Sequence, residues 1–187
     1  MKNRVINAYF RLLPTKGLYH VTMDELSKEA GISKRTLYRY FETKDALIDE
    51  LFNHFFDMMN HEIDETIRKN NSAEDIFDGM SEIVCGAGQT MINPVVLEDM
   101  RQYYPHYWEK LDRFRINNIE KVIHSVIEEN PECAKDIDPR LVSKIIISSM
   151  QAILNPYYVA SNNLPIKETA RQMLAFFKRG LGINNDN

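Results

Sequence analysis

Between Thr22 and Lys44 the chain reads Thr-Met-Asp-Glu-Leu-Ser-Lys-Glu-Ala-Gly-Ile-Ser-Lys-Arg-Thr-Leu-Tyr-Arg-Tyr-Phe-Glu-Thr-Lys. The punctuation of that stretch constrains the fold more than any other feature. Thr22 and Glu25 have the spacing of a capping box, in which the hydroxyl accepts from the Glu25 amide and the carboxylate reaches back. Gly31 follows an apolar-periodic segment and suits a left-handed residue just past a helix end. Ser33 is placed to cap a second helix and Thr43 a third. Leu26 and Ala30 share one face, Leu37 and Phe41 another, and Ile32 fills the corner between them. Two short helices joined by a tight turn follow from this.

Once those apolar positions turn inward, Lys34, Arg35, Thr36, Tyr38 and Arg39 remain outside. The second helix spans roughly seven residues, or about 10 Å at 1.5 Å per residue. It therefore fits a DNA major groove about 12 Å wide. The arrangement is a helix-turn-helix. Arg35 is the candidate for reading guanine, since its fork matches O6 and N7 together. Lys34 reaches a base or a phosphate with less geometric constraint. Thr36 offers a hydroxyl and a methyl. Tyr38, Tyr40 and Lys44 have the chemistry of backbone contacts, and Arg39 joins the same exposed face.

These residues resemble the DNA-binding motif of the TetR family of transcriptional regulators. The likeness rests on Thr22-Met23, Leu26, Ala30-Gly31-Ile32-Ser33, Thr36-Leu37-Tyr38, Tyr40-Phe41 and Lys44 with Leu47, and extends from about Val5 to about Phe52. It implies an all-helical chain of about nine helices, acting as a homodimer and usually as a repressor released by a small ligand. By motif position it implies DNA contacts from Lys34, Arg35, Thr36, Tyr38, Tyr40 and Lys44, with Arg39 at a variable position. Two departures are Tyr9, where a small residue is usual, and Pro14 inside the last turn of the first helix.

Charge is unevenly placed. The net charge is −4, yet residues 1–47 hold nine Lys/Arg against five Asp/Glu. The remaining residues are therefore acidic overall, which suits local docking on phosphate by a basic end. Cys85 and Cys133 lack metal-ligand spacing, and no apolar run approaches the roughly 20 residues of a membrane span. A reducing cytoplasm is the expected compartment. No cofactor or metal is expected: His54 and His61 lie seven apart, but His20, His106 and His124 have no sequence-local partners.

Beyond residue 47 the chain predicts long helices. Leu47, Leu51, Phe55, Met58/Met59 and Ile63 keep a helical period from about Lys44 to Lys69, with a break at Asn70-Asn71 and a cap at Ser72. Pro94, Pro105, Pro139 and Pro165 suit first turns. Trp108, Leu111, Ile119, Val122, Ile123 and Val126 line a helix ending near Asn130. Leu141 through Tyr158 reads as one apolar helix and Ile166 through Leu181 as the last. Both are too apolar around their circumference to be covered on one side only. They predict a dimer interface containing Ile146, Met150, Ile153, Tyr157, Met173 and Phe177. Phe55, Met58, Met59, Met80, Met91, Met100, Tyr104 and Trp108 supply methionine and aromatic surface for a small apolar effector. Such a ligand, wedged between the middle helices, would tilt the long helix that begins at Lys44.

The expected organisation is all-α: residues 1–47 as a three-helix DNA-binding domain, 48–183 as a ligand-binding and dimerisation domain, and 184–187 as a disordered tail. The partners are double-stranded DNA with a pseudo-palindromic site, an effector, and a second copy of the chain. A helical adaptor or small-molecule binder that keeps the fold without DNA is the alternative. No nucleophile elbow, phosphate loop or metal motif points to an enzyme.

Overall fold

In the computed structural model, which describes residues 1–69, 72–86, 91 and 93–183, ten helices follow one another: α1 (Lys2–Lys16), α2 (Met23–Glu29), α3 (Lys34–Tyr40), α4 (Lys44–Lys69), α5 (Ala73–Cys85), α6 (Pro94–Tyr103), α7 (Pro105–Glu129), α8 (Pro139–Ile153), α9 (Pro156–Ser161) and α10 (Ile166–Gly180). Among the described residues there is no strand. The all-helical class and the helix-turn-helix at its start agree with the sequence. Asn70-Asn71, Gly88 and the tail 184–187 lie outside the described residues.

Local chemistry accounts for most boundaries. Ser72 accepts from the Asp75 amide and Asn93 from Val96. Asp138 accepts from Arg140, with Pro139 in the first turn. Pro94 and Pro105 each open a helix, where the missing N–H has no intrahelical partner to lose. Pro165 sits one position earlier, as the N-cap of α10. The apolar run expected as one helix from Leu141 to Tyr158 is divided. It stops at Ile153, with Leu154 as C-cap, and restarts at Pro156. A proline inside a continuous helix would have removed one hydrogen bond and clashed with the preceding turn.

The chain separates into two compact units: Met1–Met58 with Thr90–Glu109, and Met59–Gln89 with Lys110–Asn187. In the first, α1 packs on α2 and on α6, and α2 packs on α3. Its core includes Val5, Tyr9, Leu13, Leu26, Leu37, Leu47, Leu51, Phe52 and Phe55. Phe52 stacks on Tyr107 with ring centroids 4.2 Å apart, and the Tyr107 hydroxyl donates to Asp49 at 2.5 Å. Where the sequence suggested a boundary after residue 47, the first unit also takes in α6 and the start of α7.

In the second unit α5 packs against α10 and α8 against α9. Lys178 bridges Glu74 at 3.0 Å and Asp78 at 2.8 Å. Asn118 donates to Asn60 at 3.2 Å. Several large apolar side chains nonetheless face outward: Leu141 and Ile145 on α8, Tyr157 and Tyr158 on α9, and Phe176 on α10.

Candidate nucleic-acid interface

The first unit builds a short exposed helix from local hydrogen bonds. Thr22 Oγ1 accepts from the Glu25 amide at 3.2 Å, and Glu25 Oε2 accepts from the Thr22 amide at 3.1 Å, completing the capping box. Glu25 also pairs with Lys16. That bond and those from Thr22 hold its carboxyl down at about 2. Gly31 has φ +61°, the left-handed geometry its position required, and the Ile32 amide returns to the Ser27 carbonyl at 2.9 Å. Arg4 donates to the Gly31 carbonyl at 3.3 Å, so α1 clasps the turn. Ser33 accepts from the Thr36 amide at 3.1 Å and starts α3. Leu37 is fully buried and pins α3 by one face.

The rest of α3 faces solvent. Lys34, Arg35, Tyr38, Arg39 and Tyr40 are exposed and Thr36 is half-buried. Lys34 pairs with Asp24 on α2. The Thr36 hydroxyl lies 2.9 Å from that of Ser33. Arg39 packs over the Tyr40 ring at 5.3 Å. Lys44 opens α4, donates to the Tyr19 carbonyl and lies over the Tyr19 ring at 5.6 Å. Burial lowers its pKa, while Asp99, Asp45 and Glu25 oppose that shift. Three participants were not legible in the sequence: Asp24, Tyr19 and Asp99. Tyr19 and Asp99 are 80 positions apart, and no periodicity links them.

Tyr9 has a clear role: it is fully buried, and its hydroxyl donates to the Leu18 carbonyl at 2.9 Å, closing the loop after α1. Burial, and secondarily neighbouring Tyr104, Asp99 and Asp45, push that phenol well above its ordinary value of 10.0.

The effector residues divide between the units. Phe55, Met91 and Met100 are buried in the first, and Met58, Tyr104 and Trp108 are half-buried there. Met59 is buried and Met80 half-buried in the second. A cavity of about 520 Å³ in the second unit has other walls: Phe77, Leu174, Ala175 and Ile183, with Asp78, Ser81, Arg171, Lys178 and Arg179. Of the proposed interface residues, Ile146, Met173 and Phe177 are buried by the chain itself, Met150 and Ile153 are half-buried, and Tyr157 is 76% exposed. Among the described residues no three His, Cys, Asp or Glu side chains group as a metal site. His124 pairs with Glu128 one turn on, at 3.1 Å. Among the described residues, no helix is long and apolar enough to cross a membrane.

Residues 5–51 match the family described as bacterial regulatory proteins, tetR family. That segment is a TetR-family N-terminal domain. The chain's helix-turn-helix regulator relatives include the uncharacterized regulator YvaF of Bacillus subtilis, 25% identical over 185 residues, covering 97% of this chain and 95% of that protein. The negative regulator IcaR of the biofilm operon icaADBC in Staphylococcus epidermidis is 31% identical over 68 residues, 33% of this chain and 37% of IcaR. The fold is shared with FadR of Bacillus subtilis, solved with stearoyl-CoA, at TM-score 0.67 and 14% identity, covering 95% and 97% of the two chains. It is shared also with a TetR regulator of Haloarcula marismortui, at TM-score 0.72 and 17% identity over 96% and 97%. The family and the named relatives are transcriptional regulators rather than enzymes.

Proposed function

We propose that the chain is a cytoplasmic, homodimeric repressor that reads a pseudo-palindromic operator and is released by a small apolar or aromatic effector. The observation that carries the DNA reading is α3, pinned by Leu37 and exposing Lys34, Arg35, Tyr38 and Arg39. Arg35 reads a base. Lys34 and Thr36 share base and phosphate contacts, and Tyr38, Arg39, Tyr40 and Lys44 hold the backbone. Residues 1–47 form the DNA-binding domain and 48–183 the dimerisation and effector domain.

Dimerisation is supported by the outward apolar side chains of α8, α9 and α10. Leu141, Ile145 and Ala152 lie on one stripe of α8, and all three are exposed. Tyr157 and Phe176 are further exposed apolar side chains on the next two helices. Met150, Ile153 and Tyr157 meet the partner, while Ile146, Met173 and Phe177 support that surface from beneath. A second copy covers this surface and supplies the second recognition helix, one DNA turn (about 34–36 Å) away.

The repressor assignment is supported by IcaR, named a negative regulator. Effector release is supported by the methionine and aromatic residues Phe55, Met58, Met59, Met80, Met91, Met100, Tyr104 and Trp108, and by FadR having been solved with an acyl-CoA. Release requires tighter effector binding to the DNA-free state than to the DNA-bound one. The test is a gel shift on DNA flanking the chain's own gene, repeated with Arg35→Ala. A sharp shift that Arg35→Ala weakens supports the reading. Failure to shift any duplex, with partner-protein binding intact, would favour an adaptor instead.

A further inference from the structure

The backbone of Tyr19 is held on both sides of its Cα. Its N–H donates to Asp99 Oδ2 at 2.8 Å, and its carbonyl accepts from Lys44 Nζ. Asp99 lies in α6 and is only 6% exposed. A carboxylate removed so far from water is costly unless hydrogen bonds and nearby positive charge compensate it. Lys44, which interacts electrostatically with Asp99, supplies that charge.

The surrounding backbone is shaped for this approach. Gly17 has φ +70°, and a Cβ there would sit 2.2 Å from Asp99 Oδ2 and 2.9 Å from Val95 Cγ1. Glycine is therefore required twice over, by conformation and by space. Tyr103, one turn after Asp99, stacks on the Tyr19 ring with centroids 3.9 Å apart. The loop after α1 is thus gripped by α6, and Lys44 folds back onto what α6 holds. All of these residues belong to the first unit.

We propose that Asp99 is a positioning residue for DNA binding: it fixes the backbone of Tyr19 from the N–H side, so that the Tyr19 carbonyl holds the Lys44 ammonium where it meets a backbone phosphate. The proposal rests on the DNA-binding reading above. An ammonium has three donors, so one bond to the Tyr19 carbonyl leaves two for phosphate oxygens. Anchoring one donor also removes much of the freedom of a four-carbon stem before DNA arrives.

The test uses the full-length chain and a short duplex that the wild type selects from a random-sequence pool. Affinity is measured by fluorescence anisotropy across a salt series. Each phosphate contact contributes a slope of about 0.9 in log Kobs against log[salt]. Lys44→Ala should lower the slope magnitude by about that amount. Asp99→Ala should do the same, and the double variant should lose no more than either single one. Asp99→Asn, which keeps an acceptor for the Tyr19 N–H, should restore the slope. A residue needed only for folding would lower the melting temperature and leave the slope alone, so an unchanged slope in Asp99→Ala overturns the proposal. Additive losses in the double variant overturn it as well. A second measurement needs no variant: the Tyr19 amide of the wild type should stay protected from hydrogen exchange both free and on the duplex. Exchange at an open-loop rate on the duplex overturns the proposal. A wild type that selects no duplex overturns the DNA reading itself, and this proposal with it.

Discussion

Helix α3 and helix α8 each leave one face uncovered by their own chain, and the two faces differ in kind. On α3 the uncovered side chains are Lys34, Arg35, Tyr38, Arg39 and Tyr40. On α8 they include the apolar Leu141, Ile145 and Ala152 beside the polar Lys144, Ser148 and Gln151. Water solvates the first set well, so its exposure alone implies nothing. What singles it out is rigid display: two caps and Leu37 hold a helix too short to be stable in isolation. Water solvates the apolar members of the second set poorly, so their exposure is itself informative. The pair teaches that a polar site is recognised by how it is held, and an apolar one by what fails to cover it.

The sharpest attempt to break this contrast removes what holds α3. Leu37→Ala should cost about 2–5 kcal/mol of stability. Thermal melting would check the loss, and a duplex titration should show binding lost with it. Arg35→Ala should leave the melting temperature unchanged and weaken operator binding by about 1–3 kcal/mol. If both variants behave alike, display is not the distinguishing property. On the apolar side, Ile145→Asp should raise the dimer dissociation constant by about tenfold or more, read by sedimentation equilibrium. An unchanged monomer–dimer balance would mean that α8 is not the covered face. Thr22→Ala should lower stability by about 1 kcal/mol through loss of the cap, seen as a reduced denaturant midpoint.

The smallest expected effect is shared by both units. Glu25 beside Lys16, and Glu168 beside Arg171, each have carboxyls held near 2, below the ordinary 4.5. A carboxyl pKa lowered in the folded state adds stability above its unfolded value and loses it as pH falls through the folded one. Stability should therefore decline between about pH 4.5 and 2. The contribution is small because these pairs face solvent, and 1 M salt should flatten it. Denaturant midpoints measured against pH at two salt concentrations would check this.

Legibility followed the distance over which each determinant acts. The capping box, the Gly31 turn, the Ser33 cap and the start of α4 at Lys44 depend on residues three or four apart, and all were readable. The long apolar helices were readable as helices, but not as oriented ones. Periodicity marks Ile145 and Ile146 as equally apolar, while packing buries Ile146 and exposes Ile145. The same holds for Phe177 and Phe176. The break before Pro156 was missed because the apolar pattern continued across it.

The sequence by itself determined that this chain is helical, where its short helices begin, and which side chains α3 turns outward. Each of these follows from hydrogen bonds and apolar spacing within a turn or two of backbone. Only the tertiary structure decided that α6 joins the first unit, that Asp99 holds the Tyr19 backbone, and which arc of α8 stays uncovered. Those outcomes depend on which distant surfaces meet, and side-chain burial is settled by neighbours rather than by residue type.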